Sequence, residues 1–342
     1  MADPLHHVII GSGSAGFGAA TTLRQNDPDC RISMITMDSL PFYNRYDLPR
    51  IFRGCTDWHE LLAVPPAFYG ENRITLRRHN RVVDVDGKTQ EIRLAHQEVI
   101  HFDSLLVCAG GRGYLPETLI DSAPLMHGFG SYEAAMRLYR DLPEDGHAVM
   151  IGGDMIGIDL ALTLLDTGRR VTLLTNGQTF WPHEPDAELR ARLLQALARR
   201  GIEIVENARP ATVTLPEGAD RGRIIALEDG TTMTADVVIP SCGLVPMVEF
   251  MLNAGVDIER GLLVTPELGT THPHIWAAGD VCQIWNDEEK AYKFYHGWKN
   301  VRVMGELAAR NIAGAHEIFD VKVEDRIEID DQGNIHSTFW TH

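Results

Sequence analysis

No apolar run in this sequence is long enough to cross a membrane. Positive charge is outweighed: 31 Lys+Arg stand against 48 Asp+Glu, a formal net charge of −17 over 342 residues. Phosphate surfaces attract basic faces, so this balance argues against a nucleic-acid or anionic-membrane partner and allows a basic protein partner. Cysteine is sparse and scattered: the five (Cys30, Cys55, Cys108, Cys242, Cys282) form no C-x-x-C pair. Neither they nor the fifteen His residues show metal-ligand spacing, so no metal site is expected. The first apolar run starts almost at Met1, so no secretory leader is expected. A cytoplasmic protein with reduced thiols is the expectation. Hydrophobic content of 44% and charged content of 23% are ordinary for a globular chain. The length predicts two domains.

What is present begins at Val8-Ile9-Ile10-Gly11-Ser12-Gly13-Ser14-Ala15-Gly16. A short apolar run meets G-x-G-x-x-G, and a helix-compatible run, Phe17 to Arg24, follows. Strand, tight turn and helix stand in the order that a dinucleotide needs. Gly11 permits the turn, Gly13 lets a pyrophosphate approach the backbone, and Gly16 lets helix and strand pack closely. The helix N-terminus offers free N–H groups to the phosphates. The next strand, Arg31 to Thr36, should end in an acid that binds ribose hydroxyls. Here it ends in Thr36, with Asp38 two residues later. Either Asp38 reaches back or the ribose is held by something weaker.

Val82 to Val85, Glu91 to Leu94 and Leu105 to Ala109 read as strands, the last closed by Cys108-Ala109-Gly110-Gly111. Then the opening unit recurs. Val149-Met150-Ile151-Gly152-Gly153-Asp154-Met155-Ile156-Gly157 aligns with Val8 to Gly16. A helix (Asp159 to Leu165) and a strand (Val171 to Thr175) follow, so a whole βαβ unit is repeated. Arg190 to Arg200 is an amphipathic helix that ends at Gly201. Ile202 to Val205 and Ala235 to Ile239 are buried-strand candidates. Near the end stand Ala277-Ala278-Gly279-Asp280-Val281 and a helix, Trp298 to Ala313.

Two dinucleotide units, the small-residue strand end and the late A-A-G-D-V resemble the two-dinucleotide-domain flavoprotein reductases. These belong to the pyridine nucleotide-disulfide oxidoreductase superfamily. Tyr43-Asn44-Arg45 and Trp298-Lys299-Asn300 are most similar to segments of NADH:rubredoxin reductases and the flavin module of nitrite reductases. The resemblance implies an α/β fold with two Rossmann-like domains, the second inserted into the first. Residues 1–115 and 240–314 would bind FAD, 116–239 would bind NAD(P)H, and 315–342 would be a short extension in place of an interface domain. FAD would be held by Gly11, Gly13, Ser14, Ala15, Gly16, Asp38, Val82 (through its backbone, at the adenine), Ala109, Gly110, Gly279 and Asp280. Arg45 and Arg50 would lie along the flavin, and Trp298 near its pyrimidine edge. NADH or NADPH would meet Gly152, Gly153, Ile156 and Gly157.

Four departures from the family pattern stand out. Asp154 occupies the second glycine of the repeated motif, where a pyrophosphate should approach. Like charges 4 Å apart at an effective dielectric of about 20 cost about 4 kcal/mol. That is roughly a thousandfold in affinity unless something moves. Thr175 ends the second strand of the repeat and favours neither NAD nor NADP. Arg50 and Asp159 replace the family's Lys and Glu at the flavin's reactive edge, where they are the expected catalytic pair. Only residues 315–342 follow Gly314, with one hairpin, Arg326 to Ile329 and Ile335 to Phe339. No cysteine pair stands at the disulfide reductases' position, so no thiol relay is expected.

The expected function is FAD-dependent electron transfer from NAD(P)H to a rubredoxin-type or iron–sulfur protein. The alternative is a flavin-bearing relay subunit of a larger redox complex, with its nicotinamide site lost. The sequence fixes neither the acceptor nor the oligomeric state.

Overall fold

In the computed structural model, residues 3–321 and 326–340 are described. The chain divides into two compact units. The first comprises Met1–Asn44, Leu62–Arg112 and Val245–Glu324; the second comprises Arg45–Leu61, Gly113–Leu244 and Asp325–His342. The first βαβ unit is β1 (His6–Ile10), α1 (Ser14–Asn26) and β2 (Arg31–Ile35). The second is β3 (His147–Gly152), α2 (Met155–Asp166) and β4 (Arg170–Thr175). The last helix is α3 (Trp298–Ile312).

In the first unit β1 sits at the centre of a five-stranded sheet, between β2 and Ser104–Val107, with Ile275–Ala277 and Ile74–Arg77 at the edges. All its pairings are parallel, from His6 opposite Arg31 to Ile10 opposite Ile35 on one side. Every β1 residue is buried, as a parallel strand covered on both faces requires. Val82–Asp86, Glu91–Leu94 and Val99–His101 form a separate antiparallel sheet. Helix α3 packs on α1 at very short range: a Cβ placed on Gly305 would overlap the carbonyl oxygen of Ala15.

In the second unit β3 lies between β4 and Val237–Ser241, all parallel, and Glu203–Val205 borders β4. The stretch Ala235 to Ile239, expected as one strand, is split between Thr232–Ala235 and Val237–Ser241. Asp236 makes the break. Its N–H donates to the His147 carbonyl, and its carboxylate accepts from the His147 N–H at 2.7 Å. Thr232–Ala235 instead joins an antiparallel sheet with Arg223–Leu227 and Pro210–Thr214, which the sequence pattern did not reveal.

The C-terminal hairpin forms, as Ile327–Ile329 against Ile335–Ser337. Asp330 fixes its turn by accepting the N–H groups of Gln332 and Asn334. It is no loose extension. Ile327, Phe339 and Trp340 share the second unit's core with Met155 and Leu160. The Trp340 indole N–H donates to the Met155 carbonyl at 2.8 Å.

His183 Nε2 lies 2.8 Å from Ser337 Oγ, and burial lowers the imidazole from 6.5 to about 4. The folded chain thus resists a proton that the unfolded chain accepts. This contribution to stability is full above 6.5 and is lost as pH falls toward about 4. Its slope is at most about 1.4 kcal/mol per pH unit. In thermal unfolding across that window, His183→Gln should show a shallower acid loss than the native protein. Equal slopes would contradict this assignment.

Candidate functional site

The first turn is shaped by steric need. Gly11 has φ +108°, and its N–H donates to the Ile35 carbonyl at 2.8 Å. A Cβ on Gly11 would overlap the Cys108 carbonyl oxygen, and one on Gly16 would overlap that of Gly11. Helix α1 starts directly after Gly13, three residues before the predicted Phe17. Gly13 is its N-cap, and no side chain caps it. The first N–H groups of a helix have no partner inside it and carry its positive end. At Ser14, Ala15 and Gly16 no N-cap side chain takes them up, which suits a pyrophosphate.

The other residues of this unit expected at the flavin lie on several elements. Ala109 and Gly110 follow Ser104–Val107, and Gly110 accepts the Met247 N–H at 3.1 Å. Gly279 is buried and donates to Met304 Sδ on α3 at 3.3 Å. Asp280 lies 2.8 Å from His296 Nδ1, a partner the sequence reading missed. Val82 is buried at the start of its strand. Asp38 is half-buried, and its N–H donates to Thr36 Oγ1 at 3.1 Å, so the turn folds back toward the end of β2. Trp298 opens α3, and its indole Nε1 is buried without a partner. A buried donor of this kind calls for an acceptor. An uncapped helix start and a waiting indole N–H are both features that bound FAD would satisfy.

Arg45, Arg50 and Asp159 all belong to the second unit; the sequence had assigned the first two to the FAD domain. Arg45 and Arg50 are exposed on the 3-10 segment Arg45–Arg53, and Arg45 Nε donates to the Gly130 carbonyl at 3.0 Å. Asp159 is buried on α2. Arg53 of this segment meets α2, at 3.2 Å from Thr163 Oγ1 and 3.7 Å from Asp166.

The second turn shares the first's positive-φ opening glycine and N-cap backbone, but Gly153 at φ +83° stands where the first has Ser12, and Asp154 where it has Gly13. Gly152 has φ +102°, and a Cβ there would overlap the Ser241 carbonyl oxygen, as Gly11 would that of Cys108. Strand register makes the match residue by residue. Val107 lies opposite Ile10 and Pro240 opposite Ile151, so Cys108, Ala109 and Gly110 correspond to Ser241, Cys242 and Gly243. Where α1 has Gly13, α2 has Asp154 as its N-cap. The Asp154 carboxylate is 5% exposed and turned inward. It accepts from Gly157 N–H at 2.8 Å, Ser241 hydroxyl at 2.7 Å and Gly243 N–H at 2.8 Å. Burial raises the pKa of the carboxyl while these hydrogen bonds lower it; burial prevails, and the group is a weaker acid than an ordinary aspartate. Met155 N–H donates to the Trp181 carbonyl at 2.9 Å, and Phe180 N–H donates to that of Gly153 at 2.7 Å. The sequence placed a charge facing the cofactor here. The structure instead uses that charge to satisfy the helix start from within.

All five cysteines are free and buried, and burial pushes each thiol up, Cys108 and Cys282 most strongly. A thiolate would be disfavoured at every one. His7, Asp27 and Cys30 bring three potential ligand atoms within 4.8 Å of one another. Their groups are already engaged. His7 Nδ1 lies 2.5 Å from Ser104 Oγ, and Asp27 Oδ1 accepts the N–H groups of Asp29 and Cys30. Arg24 stands 3.6 Å from the Cys30 sulfur, a fixed cation that opposes a second one.

The family model described as pyridine nucleotide-disulphide oxidoreductase matches residues 5–305. This chain belongs to that family. A curated relative, the nitric oxide reductase FlRd-NAD(+) reductase of Vibrio vulnificus (strain YJ016), is 30% identical over 294 residues. The match covers 83% of this chain and 73% of that protein. The protein of the same name from Aeromonas hydrophila is 29% identical over 282 residues, covering 82% and 71%. Among solved structures, the ferredoxin reductase for the CYP199A2 system from Rhodopseudomonas palustris superposes with a TM-score of 0.85 at 25% identity. That superposition covers 96% of this chain and 80% of that one. Putidaredoxin reductase, in its covalent complex with putidaredoxin, shares the fold with a TM-score of 0.85 at 22% identity. The chain is thus an oxidoreductase of this family, and the resemblance read from the motifs holds. No helix among the described residues is long and apolar enough to cross a membrane.

Proposed function

We propose that this protein is an FAD-dependent oxidoreductase that draws electrons from NAD(P)H and passes them to a protein redox acceptor of rubredoxin or iron–sulfur type. The observation that carries the reading is the uncapped start of α1, with Gly11 before it and Gly16 in its first turn admitting no Cβ. FAD, when bound, supplies the conversion between two-electron and one-electron transfer. The residues of this chain bind and orient. The N–H groups at Ser14, Ala15 and Gly16 would hold the pyrophosphate, Asp280 the ribityl hydroxyls, and the Trp298 indole would donate to the ring edge. The relatives' names, with their flavorubredoxin and ferredoxin-type partners, support a protein acceptor. Cytoplasmic location is part of the same proposal.

Arg50 and Asp159 are proposed as the pair at the flavin's reactive edge, on the family resemblance. The cycle Arg50→Met, Asp159→Leu and both together tests it through the flavin midpoint potential. The double change should cost less than the sum of the singles. Strict additivity would remove the pair from the site.

A second reading, a flavin relay without a working nicotinamide site, is favoured by the internal capping of α2 by Asp154. Anaerobic mixing with NADH and with NADPH separates the two. Bleaching of the flavin band supports the oxidoreductase. A flavin that stays oxidised with both, yet is reduced by dithionite, supports the relay.

A further inference from the structure

The two βαβ turns of this chain form an internal control. Gly11 and Gly152 meet the same steric limit at a neighbouring carbonyl oxygen, the following strands stand in the same register, and the N-cap backbones nearly coincide. Gly13 has φ −72° and ψ −169°, and Asp154 has φ −65° and ψ 171°. The N-cap residues differ by a carboxylate. In a dinucleotide fold the N–H groups just inside the helix meet the pyrophosphate. In α2 that of Gly157 goes to Asp154, and that of Met155 goes to Trp181. Gly243 N–H and the Ser241 hydroxyl, from the neighbouring strand end, complete a three-donor cradle around the same carboxylate. In the first unit Cys108 stands where Ser241 stands, so the hydroxyl belongs only to the turn that carries the acid.

We propose that Asp154 is a built-in anion that takes the place of the dinucleotide's pyrophosphate at α2 and thereby sets the affinity of the second unit for NAD(P)H. A dinucleotide that docks there must displace the carboxylate from its three donors or forgo those donors itself. The cause of weak binding is occupancy, not repulsion from an exposed charge. This inference rests on reading the second unit as the nucleotide-binding one, and it deepens the proposed function by naming the residue that limits it. It also separates two effects that repulsion alone would couple. Removing Asp154 should free the donors for an outside anion, and it should weaken the fold because those buried donors lose their acceptor.

The test uses the flavin-loaded full chain, so that the first unit's helix start is already filled. Asp154→Gly should unfold at a lower temperature than the native protein. Inorganic pyrophosphate should recover part of that loss in the variant while leaving the native protein unmoved. NADH affinity, read by calorimetry, should rise at least tenfold in the variant. Asp154→Asn keeps one acceptor oxygen and sets an amide donor against the others, so it should weaken the fold without the gain in affinity. Equal NADH affinity in native protein and Asp154→Gly, or no pyrophosphate response in that variant, would overturn the inference. Should Asp154→Gly not fold, native NADH affinity in the range of ordinary dinucleotide sites would overturn it alone, and affinity at least tenfold weaker would uphold it. A preparation that takes up no FAD would sink the proposed function instead, so the two failures are distinguishable.

Discussion

Gly13→Asp is expected to give a folded but colourless protein. The second unit already shows what an aspartate does at this position: it caps the helix and consumes the N–H groups that a pyrophosphate would use. The backbone at Gly13 lies within about 20° of that at Asp154, so no strain opposes the substitution. The introduced carboxylate would find the N–H groups of Gly16 and Gly110, the counterparts of Gly157 and Gly243, although Cys108 cannot offer the hydroxyl of Ser241. An added N-cap is worth about 0.5–2 kcal/mol, so folding should survive the loss of cofactor-derived stability. A carboxylate about 4 Å from a phosphate charge costs about 4 kcal/mol at an effective dielectric of about 20, roughly a thousandfold in affinity. Far-UV circular dichroism like that of the native apoprotein, with no uptake of added FAD, is the expected result. Native flavin content in the variant would show that α1 does not hold the pyrophosphate.

Gly305→Ala should be among the most damaging single-methyl changes in the chain. Helix α3 crosses α1 so closely that the new Cβ would fall on the Ala15 carbonyl oxygen, which is backbone and cannot rotate away. The helices must part. Overpacking of a closed core costs about 1–3 kcal/mol, and a backbone clash belongs at the upper end. Parting also shifts Ala15 in the proposed phosphate cradle and Trp298 at the other end of α3, so flavin affinity should fall together with thermal stability. The control is Gly314→Ala, which would meet nothing within 4 Å but has φ +94°. It carries backbone strain without a clash and should leave flavin affinity unchanged. Equal flavin affinity in Gly305→Ala and the native protein would mean that the crossing does not position the site.

These two glycines mark what the sequence made legible and what it did not. Gly13 is visible because its meaning is local: strand, turn and helix are contiguous, and spacing alone identifies them. The repeat at Val149 to Gly157 is visible for the same reason. Gly305 is not, because its constraint comes from Ala15, far away in sequence, and nothing in the run Trp298 to Ile312 marks it. Asp154 falls between the two. Its presence was plain, but the direction of its side chain depends on Ser241 and Gly243, brought to it by a parallel strand. The same limit explains the arginines. Arg45 and Arg50 follow the first motif in sequence, yet fold with the second unit because Phe52 and Tyr46 pack into that core. The C-terminal hairpin had a turn signal in Asp331-Gln332-Gly333-Asn334, while its anchoring through Trp340 and His183 is again a long-range fact.

Flavin content of the purified native chain is the measurement that bears most directly on the central claim, that the first unit holds FAD through the open start of α1. The protein should be yellow, absorb near about 450 nm, and release about one FAD per chain on denaturation. A colourless protein that stays colourless after incubation with excess FAD, while remaining folded, would contradict it.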